Sequence, residues 1–81
     1  MILLVEDETR VASFIKKGLE ENGITVEVAV DGQQGFNDVR LKSYEAVILD
    51  INLPKINGIE LCKRIREINP NMPVLMLIFL Y

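Results

Sequence analysis

The chain has 81 residues, nearly half of them hydrophobic, with a formal net charge of -3. That size implies one domain, which buries only about 60–65% of the surface its unfolded chain exposes. The composition supports a core and excludes disorder, and the acidic balance gives no general attraction to nucleic acid. Cys62 is the only cysteine, so no internal disulfide can form and a reducing compartment is expected.

"ILLV" (Ile2–Val5) is a short apolar run, as expected of a strand covered on both faces. A helix is predicted from about Glu8 to Glu21, with Val11, Phe14, Ile15 and Leu19 on its buried side. Gly23 in "ENG" ends it. "TVEVAV" (Thr25–Val30) has the β-branched content of a second strand. Asp31 caps a second helix reaching about Leu41, with Gln34 as its capping-box partner. Gly32 and Gly35 lower its helix propensity, and their spacing matches no phosphate-binding loop.

"AVILD", ending on Asp50, is the third strand, and "INLPKI" is a loop because Pro54 lacks an N–H and restricts Leu53. Asn57 caps a third helix, and Glu60 completes the box. Leu61, Ile65 and Ile68 mark the buried side of this helix, and Asn69-Pro70 stops it. "MPVLMLIFLY" is expected to be a strand running to the C-terminus, with Met72 and Met76 in the core. Cys62 is read as a packing residue, and Lys63, Arg64 and Arg66 as a solvated face.

The order β-α-β-α-β-α-β implies a doubly wound parallel sheet with helices on both faces. Ligands of such folds bind outside the carboxyl ends of the strands. Glu6 and Asp7 follow the first strand, and Asp50 ends the third. If these strands are neighbours, three carboxylates converge, and they repel one another unless a cation neutralises them. An all-oxygen cluster suits a hard cation, with Mg²⁺ the first choice. A carboxylate beside such an ion can accept a phosphoryl group as an aspartyl phosphate.

"ILLVEDE", "VILDINLPKINGIEL" and "PVLML", in this order and spacing, resemble the receiver domain of two-component response regulators. "LVEDE", "GLEENG" and "DGQQG" are most similar to the winged-helix transcription-factor branch. The resemblance implies a flavodoxin-like sheet, here truncated to four strands in order 2-1-3-4 with three helices. It makes Asp50 the phosphoacceptor and a histidine kinase the phosphodonor. It also implies that Asp7 ligates Mg²⁺ directly, that Glu6 acts mainly through metal-bound water, and that the Asn52 backbone carbonyl is a further ligand. Pro54 and Gly58 would shape the loop beside the site.

Some positions depart from the family pattern. Ile78 and Phe79 stand where the family carries Thr or Ser followed by a small residue. The family's fourth helix, fifth strand with its Lys, and fifth helix have no counterpart in residues 1–81, nor is there an output domain. Lys55 comes from the wrong side to replace that Lys. Asn57 stands where Asp is common, and the two are near-equivalent caps.

The expected function is thus Mg²⁺-dependent phosphotransfer to Asp50 in a partial receiver domain, with stable phosphorylation impaired. The chain is expected not to be an enzyme, and to be cytoplasmic, with no nucleic-acid or membrane contact. "VLMLIFLY", at eight residues, is too short to span a bilayer. One rival is an oligomerising fragment without phosphochemistry. Another is a Mg²⁺-dependent phosphatase, whose second Asp would be expected where Asn52 stands. A bare, uncharged last strand further predicts a homodimer through residues 73–81, by edge pairing or tail exchange.

Overall fold

A computed structural model describes residues 1–78. The elements are β1 (Ile2–Val5), α1 (Thr9–Glu21), β2 (Val26–Ala29), α2 (Gly32–Leu41), β3 (Ala46–Asp50), α3 (Gly58–Ile68) and β4 (Val74–Leu77). The four strands form one parallel sheet in the order β2-β1-β3-β4, as expected.

Strand alternation divides the apolar side chains between two faces. Leu3, Val5, Val47 and Leu49 pack with Val39 of α2 and with Leu61 and Ile65 of α3. On the other face Leu4 and Val26 pack with Ala12 of α1, joined by Ile15, Leu19 and Ile48. Two helices therefore cover one face and α1 covers the other.

The caps at Asp31 and Asn57 form as read, but the Glu60 side chain, read as the box partner of Asn57, accepts from Arg64 Nε at 3.2 Å. Asp31 accepts the Gln34 N–H at 2.8 Å, and Asn57 accepts the Glu60 N–H at 3.0 Å. The Gln34 side chain reaches one residue further back than a capping box requires, accepting from the Val30 N–H at 2.9 Å.

Other expectations are corrected. The first helix starts at Thr9, with Glu8 as its N-cap, and β2 is shorter than Thr25–Val30. Phe14 is not on a buried face but is 81% exposed. Among the described residues α1 has no helical neighbour on its side of the sheet, so the flank bearing Phe14 meets nothing. Ile68, the last residue of α3, is 45% exposed, and the helix's core contacts are made by Leu61 and Ile65. Met72 is in the core, but Met76 lies on the edge strand and is exposed. The last strand ends at Leu77, and residues 79–81 lie outside those described.

Gly32 and Gly35, read as helix weakeners, are close-packing positions. A Cβ on Gly35 would lie 2.9 Å from Val5 Cγ2. A Cβ on Gly32 would overlap the carbonyl oxygen of Ile56 and sit 2.7 Å from its carbon.

Candidate functional site

The register of the central strands builds the site. β1 and β3 pair in parallel with Val5 opposite Leu49, so the next residues, Glu6 and Asp50, leave the sheet side by side. By alternation they belong to the face of Leu4 and Ile48. Asp7 follows on the β1–α1 connection and is exposed. One carboxylate oxygen from each of Glu6, Asp7 and Asp50 lies within 4.8 Å of the others. The three acids singled out from the sequence thus form one cluster.

Glu6 is 2% exposed and Asp50 6%. Glu6 Oε2 accepts the Glu8 N–H at 3.1 Å, whereas Glu6 Oε1 is buried with no hydrogen-bond partner among the described residues. Burial pushes the Glu6 carboxyl up to about 7. The Glu8 N–H opposes this, and the Asp50 charge and hydrogen bonding with Asp7 and Asp50 add to it. A buried carboxylate oxygen without a donor, facing two other carboxylates, is the environment a cation relieves. The donor set is entirely oxygen, so the residues present fit a hard divalent ion.

The loop after β3 is folded back on Asp50. The Asn52 N–H donates to Asp50 Oδ1 at 3.0 Å, and the Gly58 N–H donates to the Ile51 carbonyl at 2.8 Å. A Cβ on Gly58 would overlap the Asp50 carbonyl oxygen and sit 2.7 Å from Ile51 Cα, so glycine permits the close return of α3 onto β3. Leu53 and Ile56 are buried, and Pro54 is exposed at the loop's tip. Lys55 Nζ pairs with Asp31 Oδ2 at 3.4 Å, so its ammonium is engaged on α2's N-cap. Ile78 lies just past β4 and is 62% exposed.

Sequence reasoning missed the contact between this loop and the start of α2, made by Asp31, Gly32 and Lys55. The available signal was the pair Gly32 and Gly35, three residues apart on one helical face.

The fold is a doubly wound parallel α/β module with an acidic cluster at the carboxyl edge of its sheet. The family model for the response regulator receiver domain matches residues 2–78. The chain belongs to that family. It is 38% identical over 76 residues to the transcriptional regulatory protein CusR of Escherichia coli K12, covering 94% of this chain and 34% of CusR. It is 42% identical over 76 residues to the transcriptional regulatory protein TcrA of Mycobacterium tuberculosis, covering 94% of this chain and 30% of TcrA. The chain therefore spans about a third of the length of these curated relatives. Among solved structures, a Francisella response regulator receiver domain superposes with a TM-score of 0.91 at 36% identity, covering 95% of this chain and 64% of that one. The response regulator TrrA of Thermotoga maritima, solved in complex with Mg²⁺–BeF, superposes with a TM-score of 0.92 at 31% identity, covering 95% and 67%.

Membership in the receiver family overturns one expectation. The exclusion of enzymatic chemistry does not stand, because what the family match supports is a response regulator receiver domain. A second expectation concerns membranes: among the described residues no helix is long and apolar enough to cross one.

Proposed function

We propose that the chain is the phosphoacceptor module of a two-component response regulator, with Asp50 accepting the phosphoryl group from a histidine kinase. The observation that carries this reading is the convergence of Glu6, Asp7 and Asp50 at the carboxyl edge of the sheet. Asp7, Asp50 and the Asn52 carbonyl would hold Mg²⁺ directly, with Glu6 acting through bound water. The Mg²⁺–BeF complex of the related TrrA supports this choice of ion. When bound, the ion neutralises negative charge shared by the acids and the incoming phosphoryl group. An Asp50 carboxylate oxygen forms the new bond to phosphorus as the phosphorus–nitrogen bond to the kinase imidazole breaks, and the imidazole leaves with that electron pair. The Asn52 N–H fixes Asp50 Oδ1, which orients the carboxylate.

Ile78, at the position where the family carries a hydroxyl, has no side-chain donor for a phosphoryl oxygen. A charge-assisted hydrogen bond of that kind is worth about 1.5–3 kcal/mol, so the adduct is short-lived. Residues 1–81 are read as part of one receiver domain, in keeping with the 64% of the Francisella receiver chain they span. A cytoplasmic setting, where a histidine kinase would present its phosphoryl group, belongs to the same reading.

The reading is tested by treating the protein with acetyl phosphate and Mg²⁺ and following the mass over time. A transient adduct mapping to Asp50, absent in Asp50→Asn, is expected. Absence of any adduct at all times, or an adduct that persists in Asp50→Asn, overturns it.

A second reading, self-association through residues 73–81, is favoured by the edge strand. Among the described residues β4 pairs with β3 alone, and Leu75 is 58% exposed. Bare apolar edges recruit further strands. Light scattering is expected to give a dimer at micromolar concentration, reduced to monomer by Ile78→Lys. A monomeric unmodified chain overturns this reading.

A further inference from the structure

We infer that the start of α2 is a positioning bracket for the phosphoacceptor loop, with Gly32 as the residue that permits it and Asp31 as its second contact. The inference rests on the reading of Asp50 given above and extends it to residues outside the acidic cluster.

The loop from Ile51 to Asn57 carries a backbone amide that holds the Asp50 side chain, the Asn52 N–H. Its base is closed by Gly58 on Ile51. Its tip is held from a different element. The Gly32 N–H donates to the Pro54 carbonyl at 3.3 Å, so one of the orphan donors at the start of α2 is satisfied by the loop. The Ile56 carbonyl lies flat against Gly32, where any Cβ would overlap it. Between these two contacts Lys55 has φ +68°, a left-handed conformation that a lysine rarely adopts. Its ammonium pairs with Asp31, the residue that also caps α2. Three consecutive loop residues, Pro54, Lys55 and Ile56, are therefore held by two consecutive residues of α2's N-terminus. The bracket keeps the loop pressed down at its tip while Gly58 holds its base, and Asn52 lies between. Displacing the tip frees Asn52, and with it both the amide on Asp50 Oδ1 and the carbonyl proposed as a metal ligand.

Gly32→Ala is the direct test, because alanine favours the helix yet cannot share space with the Ile56 carbonyl. Two quantities are read: amide hydrogen exchange in metal-free protein, and Mg²⁺ affinity by calorimetry. The expected result is about tenfold faster exchange at Asn52 and about tenfold weaker Mg²⁺ binding. Val39→Ala is the comparison for a purely structural role. It opens a cavity on the same helix, away from the loop, and should lower the melting temperature with both readings within twofold of wild type. Should Gly32→Ala fail to fold, Asp31→Asn keeps a good cap while breaking the Lys55 pair, and two- to threefold shifts in the same direction are expected. Wild-type exchange and affinity in a folded Gly32→Ala, or in Asp31→Asn where only that variant folds, overturns the bracket. So does an equal shift in Val39→Ala. Faster exchange at Asn52 with no Mg²⁺ binding even in wild type upholds the bracket and overturns the metal reading alone.

Discussion

The two edges of the sheet treat charge in opposite ways. At the amino edge the carboxylate of Glu27 accepts the Tyr44 hydroxyl at 2.7 Å and Lys42 Nζ at 3.1 Å on the same oxygen, and Glu45 pairs with the Met1 amino group. The Tyr44 hydrogen bond, followed by Lys42, holds the Glu27 carboxyl below its ordinary range. At the carboxyl edge three acids share one small volume, and Glu6 is held above its ordinary range. At one edge Glu27 and Glu45 each have a donor. The other is built so that a buried carboxylate oxygen has no donor among the described residues, an environment that a cation would relieve.

The contrast is broken most completely at its centre. Asp7→Asn removes a proposed direct ligand, and calorimetry should show Mg²⁺ binding lost while the melting temperature of the metal-free protein stays the same or rises. Unchanged affinity would remove the site as described.

The next effect is on pH, and its sign differs between the edges. Glu6 has its pKa raised from 4.5 to about 7 on folding. The native state therefore holds this proton more tightly. Stability from this group is complete below about pH 4.5 and is lost as the pH rises through about 7. The loss is on the order of 2–3 kcal/mol in metal-free protein. Urea unfolding at pH 5 and pH 8 with a chelator should show it, and Glu6→Gln should flatten that slope and stabilise the protein at pH 8. Saturating Mg²⁺ should raise stability more at pH 8 than at pH 5, because metal and proton compete for the same acids.

At the amino edge Glu27 has a depressed pKa, so its contribution is present above the ordinary carboxylate range and lost as the pH falls through the lowered value. Tyr44→Phe should remove part of that acid-side loss and lower the melting temperature by about 5 °C at neutral pH, as expected for one lost hydrogen bond in a domain of this size. Scanning calorimetry at pH 4 and pH 7 separates the two effects. The smallest change expected is Lys42→Ala. This exposed ion pair shares its acceptor with Tyr44, so the melting temperature should move by no more than about 2 °C, and less in 0.5 M salt.

Much of this organisation was legible in the linear pattern. The strand runs, the caps at Asp31 and Asn57 and the three acids follow from local chemistry and the rule for doubly wound sheets, whereas the order 2-1-3-4 was implied only by the family resemblance. The burial of individual side chains was less so. Phe14 and Leu19 both fit the helical spacing, yet only Leu19 packs against the second core cluster. Periodicity says which residues share a side of a helix, but not how wide a side the rest of the protein covers.

The glycines show the remaining gap. Gly32 and Gly58 have ordinary sequence readings, a helix weakener and a residue after a cap. Their contacts are with carbonyls 24 and 8 positions away, at Ile56 and Asp50. What the sequence by itself determined was the set of elements and the acids at their ends, because backbone propensity, capping and hydrophobic period act over a few residues. Only the tertiary structure decided the register in which β1 and β3 join Glu6 to Asp50, that Glu6 Oε1 has no donor among the described residues, and that α2 begins against the loop after β3. These depend on distances between segments far apart in the chain, and close packing fixes those distances to a few tenths of an ångström.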